Sequence, residues 1–228
     1  MSLFFNAVTD DWGTTYAFTP AGYTLMVVIM LVLLIAGAAI FGARNKSKFS
    51  TKGIAFSAMA IALATVASMV KLIHLPMGGS VTLFSMMFIV LIGYWFGLGT
   101  GLTAAIAYGI LQMIIDPYII SLPQMFVDYI FAFGALGLSG VFRNSKHGLI
   151  KGYILGVLGR YFFAILSGVI FFGSYAPDTG ILSSPFLYSA AYNGAYLGLE
   201  ALITLVVIAI PAVSHALNSV KTLAAEEA

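Results

Sequence analysis

Apolar positions in this chain come in long blocks separated by short polar breaks, the pattern of membrane-crossing helices rather than of alternating strands. The first block, residues 24–41, carries no charge. A second helix is predicted over residues 53–75, with alanines at 55, 58, 60, 62, 64 and 67. The loop Pro76-Met77-Gly78-Gly79-Ser80 breaks it with strong turn residues. A third helix is expected over 81–96, then a tight turn over 97–101 and a rather short fourth helix over 102–115, ended by Asp116-Pro117. The fifth helix covers residues 124–140 (QMFVDYIFAFGALGLSG), the sixth 152–172 and the seventh 186–213, with a polar loop at 173–185. Seven spans result.

Charge orients them. Arg44, Lys46, Lys48 and Lys52 follow the first block, Arg143, Lys146 and Lys151 follow the fifth, and Lys221 follows the seventh. These are eight of the ten basic residues. Cytoplasmic loops are enriched in Lys and Arg, so the N-terminus is expected outside and the C-terminus inside. Residues 1–20, with Asp10, Asp11 and Trp12, lack the basic start of a signal peptide. Lys71 and His74 approach the outer surface, where long cationic side chains reach water.

Composition agrees and excludes several functions. The 228 residues are 61% hydrophobic and only 8% charged, against about 25% charged in soluble domains. One helical bundle uses up this length, so a large ATPase unit must be a separate chain. The chain has no cysteine, which excludes disulfides and thiolate chemistry. His74, His147 and His215 are too scattered for a metal cluster. No nucleophile–base pair or paired carboxylates stand at helical spacing, so an enzyme is not expected, and no cofactor is implied.

Candidate chemistry lies in the few polar residues within the spans. Asp128 is a lone acid in an apolar helix, and such a group by default faces a protein interior or a watery cavity. Gln124, Asp128, Ala132, Ala135 and Ser139 share one helical face, and Tyr129 is adjacent. Asn193, Tyr196 and Glu200 share a face of the seventh helix, which also carries Tyr188 and Tyr192. Arg160 lies within the sixth helix, and a pairing with Asp128 or with Glu200 is the reading in which all three serve only to bind helices together. A carboxylate, two amides and several aromatic rings suit a small, flat, cationic heteroaromatic ligand, since ring faces attract rings and cations. All these groups map to the outer half of the bundle. Ala58/Ala62 and Ala60/Ala64 are small-xxx-small pairs that suit either a partner helix or ordinary bundle packing.

Four stretches in order, PMGGSVTLFSMMFIV at 76–90, VDYIFAFGALGLSG at 127–140, RYFFAILSGVIFFGSYAP at 160–177 and LYSAAYNGAY at 187–196, together with the alanine-rich helix, carry a resemblance. The chain resembles the thiamine-binding S-components (ThiT/YuaJ family) of energy-coupling-factor (ECF) vitamin transporters. The resemblance implies an all-α membrane protein with a six-helix core, here preceded by one extra N-terminal transmembrane helix. It implies three parts: residues 1–52 (extracellular N-terminus, extra helix, basic cytoplasmic linker), the core at 53–213, and a cytoplasmic tail at 214–228. It implies capture of thiamine at the outer face of a bacterial plasma membrane, for uptake driven by a transmembrane T-component and two ATPases. The family's acid–tyrosine pair falls on Asp128 and Tyr129, its helix-six aromatic on Phe172, and its last-helix tyrosine and asparagine on Tyr188 and Asn193. With Gln124, Tyr196, Glu200, Gly79 and Ser80 these make the expected ligand-binding set. The T-component contact falls on Ala58 and Ala62.

The chain departs from the family at several points. Ala164 stands where members carry a histidine, Gly93-Tyr94-Trp95-Phe96-Gly97 lacks the usual basic residue, and Glu200 is unusual. A thiamine precursor or another small cationic heteroaromatic is therefore an alternative ligand. A stand-alone secondary transporter, with a proton path through Asp128, Arg160 and Glu200, is an alternative machine. No internal repeat of the kind common in such transporters is visible.

Overall fold

The computed structural model describes residues 3–10, 13–25, 28, 32, 51–177 and 179–225. Most of the expected span at 22–42, with Arg44, Lys46 and Lys48, lies outside the described residues. Within them the body is helical: α1 (Thr51–Met69), α2 (Ser85–Phe96), α3 (Leu98–Ile115), α4 (Leu122–Phe142), α5 (Gly148–Phe171), α6 (Pro185–Ala209) and α7 (Pro211–Ala225). Helices α3 to α6 are each long and apolar enough to cross a membrane, and α1 and α2 are shorter apolar helices. Large side chains such as Leu63, Phe126, Phe131, Leu158, Phe162, Leu202 and Val206 are exposed on the outside, as lipid contact requires. The protein is a multi-pass membrane protein.

Helix α2 is the axis of the bundle. It is apolar all round, and Met86, Ile89, Val90 and Ile92 are fully buried. Helices α1, α3, α4, α5 and α7 all pack on it. The crossing with α3 and α4 is close because glycines meet there. A Cβ on Gly101 would stand 2.6 Å from Gly93 Cα and 2.8 Å from the Gly137 carbonyl oxygen. The α2–α3 turn is a single residue, Gly97 at φ 92°, so α3 starts at Leu98, four residues before the sequence expectation.

Three other expectations are corrected. The second helix ends at Met69, and Lys71–His74 is a strand (β3) rather than helix. It pairs antiparallel with β4 (Ser80–Thr82), and α2 starts only at Ser85. The turn between them uses Pro76 and two left-handed residues, Met77 at φ 62° and Gly78 at φ 88°. Polar Lys71 and His74 lie on exposed backbone here, and cross-strand pairing satisfies main-chain groups that a fraying helix would lose. A second hairpin, β1 (Phe5–Asp10) with β2 (Gly13–Phe18), was not foreseen, and Phe18 is buried in a cluster with Ile110, Met113, Ile119, Met125 and Tyr129. The all-α body thus carries two short hairpins.

The last correction concerns the C-terminus. The seventh helix stops at Ala209, Ile210 is extended, and Pro211 opens α7, so the expected tail is helical through Ala225. Helix α7 is docked. Tyr94 Oη donates to Asn218 Oδ1 at 2.7 Å, Trp95 Nε1 donates to the Leu217 carbonyl at 3.3 Å, and Lys221 donates to the Arg143 carbonyl. The Lys221 ammonium also lies 4.1 Å from the Tyr94 ring centre. Tyr94 and Trp95 are the seat of this helix. Arg143, Lys146, Lys151 and Lys221 gather at this end, opposite the β3–β4 hairpin.

Candidate functional site

A cavity of about 200 Å³ opens between the β3–β4 hairpin and α3, α4, α5 and α6. All ten residues of the expected ligand-binding set line it: Gly79, Ser80, Gln124, Asp128, Tyr129, Phe172, Tyr188, Asn193, Tyr196 and Glu200.

The wall on α4 is built by its first turns. Ser121 caps the helix, accepting from Gln124 N at 3.3 Å. The backbone from Phe126 to Phe131 widens into a π-helix and tightens to 3-10 from Ala135, yet Gln124, Ala132, Ala135 and Ser139 are buried on the expected face. Gln124 is 1% exposed and its amide is fully engaged. Its Nε2 donates to the Tyr118 carbonyl at 3.0 Å and to Asp128 Oδ2 at 2.6 Å, and its Oε1 accepts from Ile120 N at 3.1 Å. Tyr129 Oη accepts from Tyr118 N at 2.8 Å and donates to the Asp116 carbonyl at 3.1 Å. Gln124 and Tyr129 therefore knit the 116–121 loop, and Asp128 keeps one carboxylate oxygen outside the Gln124 bond. Ser167 and Arg160, on α5, are its polar neighbours.

Arg160 pairs with neither Asp128 nor Glu200: the ion pair found among the described residues is Lys71–Asp116, at 2.5 Å. Its guanidinium instead sits 4.0 Å from the Phe133 ring centre. One helical turn on, Ala164 leaves that stretch of wall without a polar side chain. Ser167 Oγ is buried and without a hydrogen-bond partner.

Helix α6 supplies the opposite wall. Asn193 Nδ2 donates to the Ser189 carbonyl at 2.9 Å, and its Oδ1 accepts from Tyr196 Oη at 2.8 Å. Tyr192 Oη accepts from Gly79 N at 3.0 Å and donates to the Pro76 carbonyl, which grips the hairpin tip. Glu200 is 3% exposed and accepts from Thr82 N, Thr82 Oγ1, Ser85 Oγ and Met86 N at 2.7–3.3 Å. Tyr118, Phe172, Tyr188, Tyr192 and Tyr196 line the space and belong to two rows of rings. Tyr118, Phe172 and Tyr175 follow one another at 6.0 Å, and Tyr188, Tyr192 and Tyr196 at 6.2 and 5.8 Å.

Sequence reasoning passed over Tyr118, Thr82 and Ser85 as parts of this site, and did not count Arg160 and Ser167 among its ligand groups. Thr82 and Ser85 join the site through the Glu200 carboxylate, a distant partner that local spacing does not show, and Tyr118 sits in a loop with no periodic signal. The two alanine pairs divide: Ala60 and Ala64 are buried against the core, and Ala58 and Ala62 are exposed on the outer face of α1. No group of three or more potential metal ligands occurs among the described residues.

Known proteins share this arrangement of chain. A sequence profile of the thiamine transporter protein family (Thia_YuaJ) matches residues 54–219. The thiamine transporter ThiT of Bacillus subtilis (strain 168) is 33% identical over 155 residues, 62% of this chain and 78% of the relative. The thiamine transporter ThiT of Lacticaseibacillus paracasei is 28% identical over 131 residues, 50% of this chain and 64% of the relative. A solved structure of ThiT from Listeria monocytogenes superposes with a TM-score of 0.57 at 24% identity, covering 85% of this chain and 97% of the other. At that identity the superposition speaks for the fold.

Proposed function

We propose, since this chain belongs to the thiamine transporter protein family (Thia_YuaJ) over residues 54–219, that it is the substrate-binding subunit of an ECF-type importer and holds thiamine in the hairpin-end cavity. The observation that carries the reading is the Asp128 carboxylate, half-bonded to Gln124 and lining the same cavity as the rings of Tyr118, Phe172, Tyr188, Tyr192 and Tyr196. Thiamine is a cation made of two flat rings, an aminopyrimidine and a charged thiazolium, joined by a methylene. Asp128 supplies the counter-charge and accepts from the amino group. Phe172, Tyr188 and Tyr192 offer faces to the rings, and Gly79 and Ser80 offer backbone at the hairpin. The hydroxyls and amides of Gln124, Tyr129, Asn193 and Tyr196 serve as the frame that holds these surfaces apart.

In this reading the hairpin end faces outside and the basic end faces the cytoplasm. The T-component docks along the small-residue face of α1 at Ala58 and Ala62, and two partner ATPases supply the energy. The uptake step itself involves no chemistry on this chain.

Calorimetry on the purified protein in detergent tests the ligand. Sub-micromolar thiamine binding, weakened in Asp128→Asn, is the expected result. A folded protein that ignores thiamine but takes a pyrimidine or thiazole precursor would move the assignment to that precursor. Co-purification with ATPase chains from the native membrane tests the machine, and uptake that survives ATP depletion would overturn it.

A further inference from the structure

Helix α2 begins without a cap of its own. Its N-cap residue is Phe84, in the left-handed region at φ 62°, with no side-chain hydrogen bond to the first turn. The free N–H groups of a helix start need acceptors, and a negative charge there is favoured by the helix dipole. Glu200 reaches this point from α6, more than a hundred residues away in the chain. One oxygen accepts from Met86 N at 3.2 Å and Ser85 Oγ at 3.3 Å, in the first turn of α2. The other accepts from Thr82 N at 3.0 Å and Thr82 Oγ1 at 2.7 Å, the last residue of β4. Both oxygens are occupied, which leaves little capacity for a ligand although the residue borders the cavity. Two turns earlier on α6, Tyr192 holds Gly79 and Pro76 at the other end of the same hairpin.

We infer that Glu200 is a positioning residue of the cavity: from α6 it supplies the cap that α2 lacks, and so fixes the cavity-facing backbone of β4. Two grips eight residues apart, Tyr192 at the tip and Glu200 at the base, make α6 and the hairpin one wall. The effect on ligand rests on the thiamine reading above; the effect on backbone does not.

The test pairs amide hydrogen exchange with thiamine titration on the purified full chain in detergent. Glu200→Gln puts an amide N–H₂ toward donors, so exchange at residues 80–88 should rise about tenfold or more, with α3 and α4 unchanged. Thiamine affinity should fall about tenfold. Thr82→Val should do the same, and the double variant should be no weaker than the worse single one. Ser85→Ala and Thr82→Val carry the exchange test alone if Glu200→Gln does not fold. Unchanged exchange at 80–88 with weakened binding would make Glu200 a direct ligand contact and overturn the inference. Additive losses would do so as well, and so would wild-type behaviour in both measurements. A wild-type protein that binds no thiamine would overturn the ligand reading only, because exchange still decides the role of Glu200.

Discussion

Gln124 and Asp128 stand one helical turn apart on α4 and share a hydrogen bond of 2.6 Å, from the amide Nε2 to the carboxylate Oδ2. The amide is held in turn by Tyr118 and Ile120 of the preceding loop, so the carboxylate is aimed by a network with little freedom to turn. Asp128→Asn keeps the shape and removes the charge. Thiamine affinity should fall by about 1.5–3 kcal/mol, the range of a hydrogen bond to a charged group. Gln124→Leu leaves the charge but frees its orientation, and a smaller loss is expected. Calorimetry on both variants checks the order, and equal affinity in Asp128→Asn would remove this acid from the site.

Tyr192 holds the hairpin tip by one hydroxyl that both accepts and donates. Tyr192→Phe keeps the ring between Tyr188 and Tyr196 and deletes both bonds. The melting temperature should drop, by about 0.5–1.5 kcal/mol of stability per lost bond. Faster amide exchange at Gly79 should accompany it, and slow exchange there would separate the tip from Tyr192.

The α2–α3–α4 crossing leaves no room for a methyl group. Gly101→Ala must push backbone apart, because the atoms it would meet belong to Gly93 and Gly137 rather than to flexible side chains. A cost of about 1–3 kcal/mol, or failure to insert stably, is expected. A thermal melt in detergent measures it, and Gly198→Ala on α6, where the added group meets nothing, is the control.

Lys221 binds its proton less tightly in the folded chain than the ordinary 10.5, first because docking of α7 desolvates it and second because Arg143 is near. In the interval just below pH 10.5 the unfolded chain therefore holds more protons, and this residue's contribution to stability rises with pH. The slope of melting temperature against pH in that interval should be more positive for the wild type than for Lys221→Met. Equal slopes would mean that the ammonium is as well solvated when docked as when unfolded.

The spans and the cavity face were legible because both rest on local spacing. Asp128, Ala132, Ala135 and Ser139 kept to one face even though the backbone there passes from π to 3-10 geometry. What stayed hidden depends on distant partners. Glu200 read as a ligand contact, yet its hydrogen-bond partners lie 114 to 118 residues earlier in the chain. Tyr129, Asn193 and Tyr196 offered polar atoms for a ligand, and the fold ties those atoms to other protein groups. Lys71–His74 continued a helical pattern in sequence, and only β4 beside it makes it a strand. The α7 segment read as a tail because the aromatic seat that receives it, Tyr94 and Trp95, belongs to another helix.

The shortness of α2 has an electrical consequence. Its twelve residues rise about 18 Å, and the twenty-four of α5 about 36 Å, while a bilayer core is about 30 Å thick. Along the α2 axis the polar cavity and hairpin replace part of the low-dielectric barrier. A transmembrane voltage therefore drops over a shorter path there than along α5.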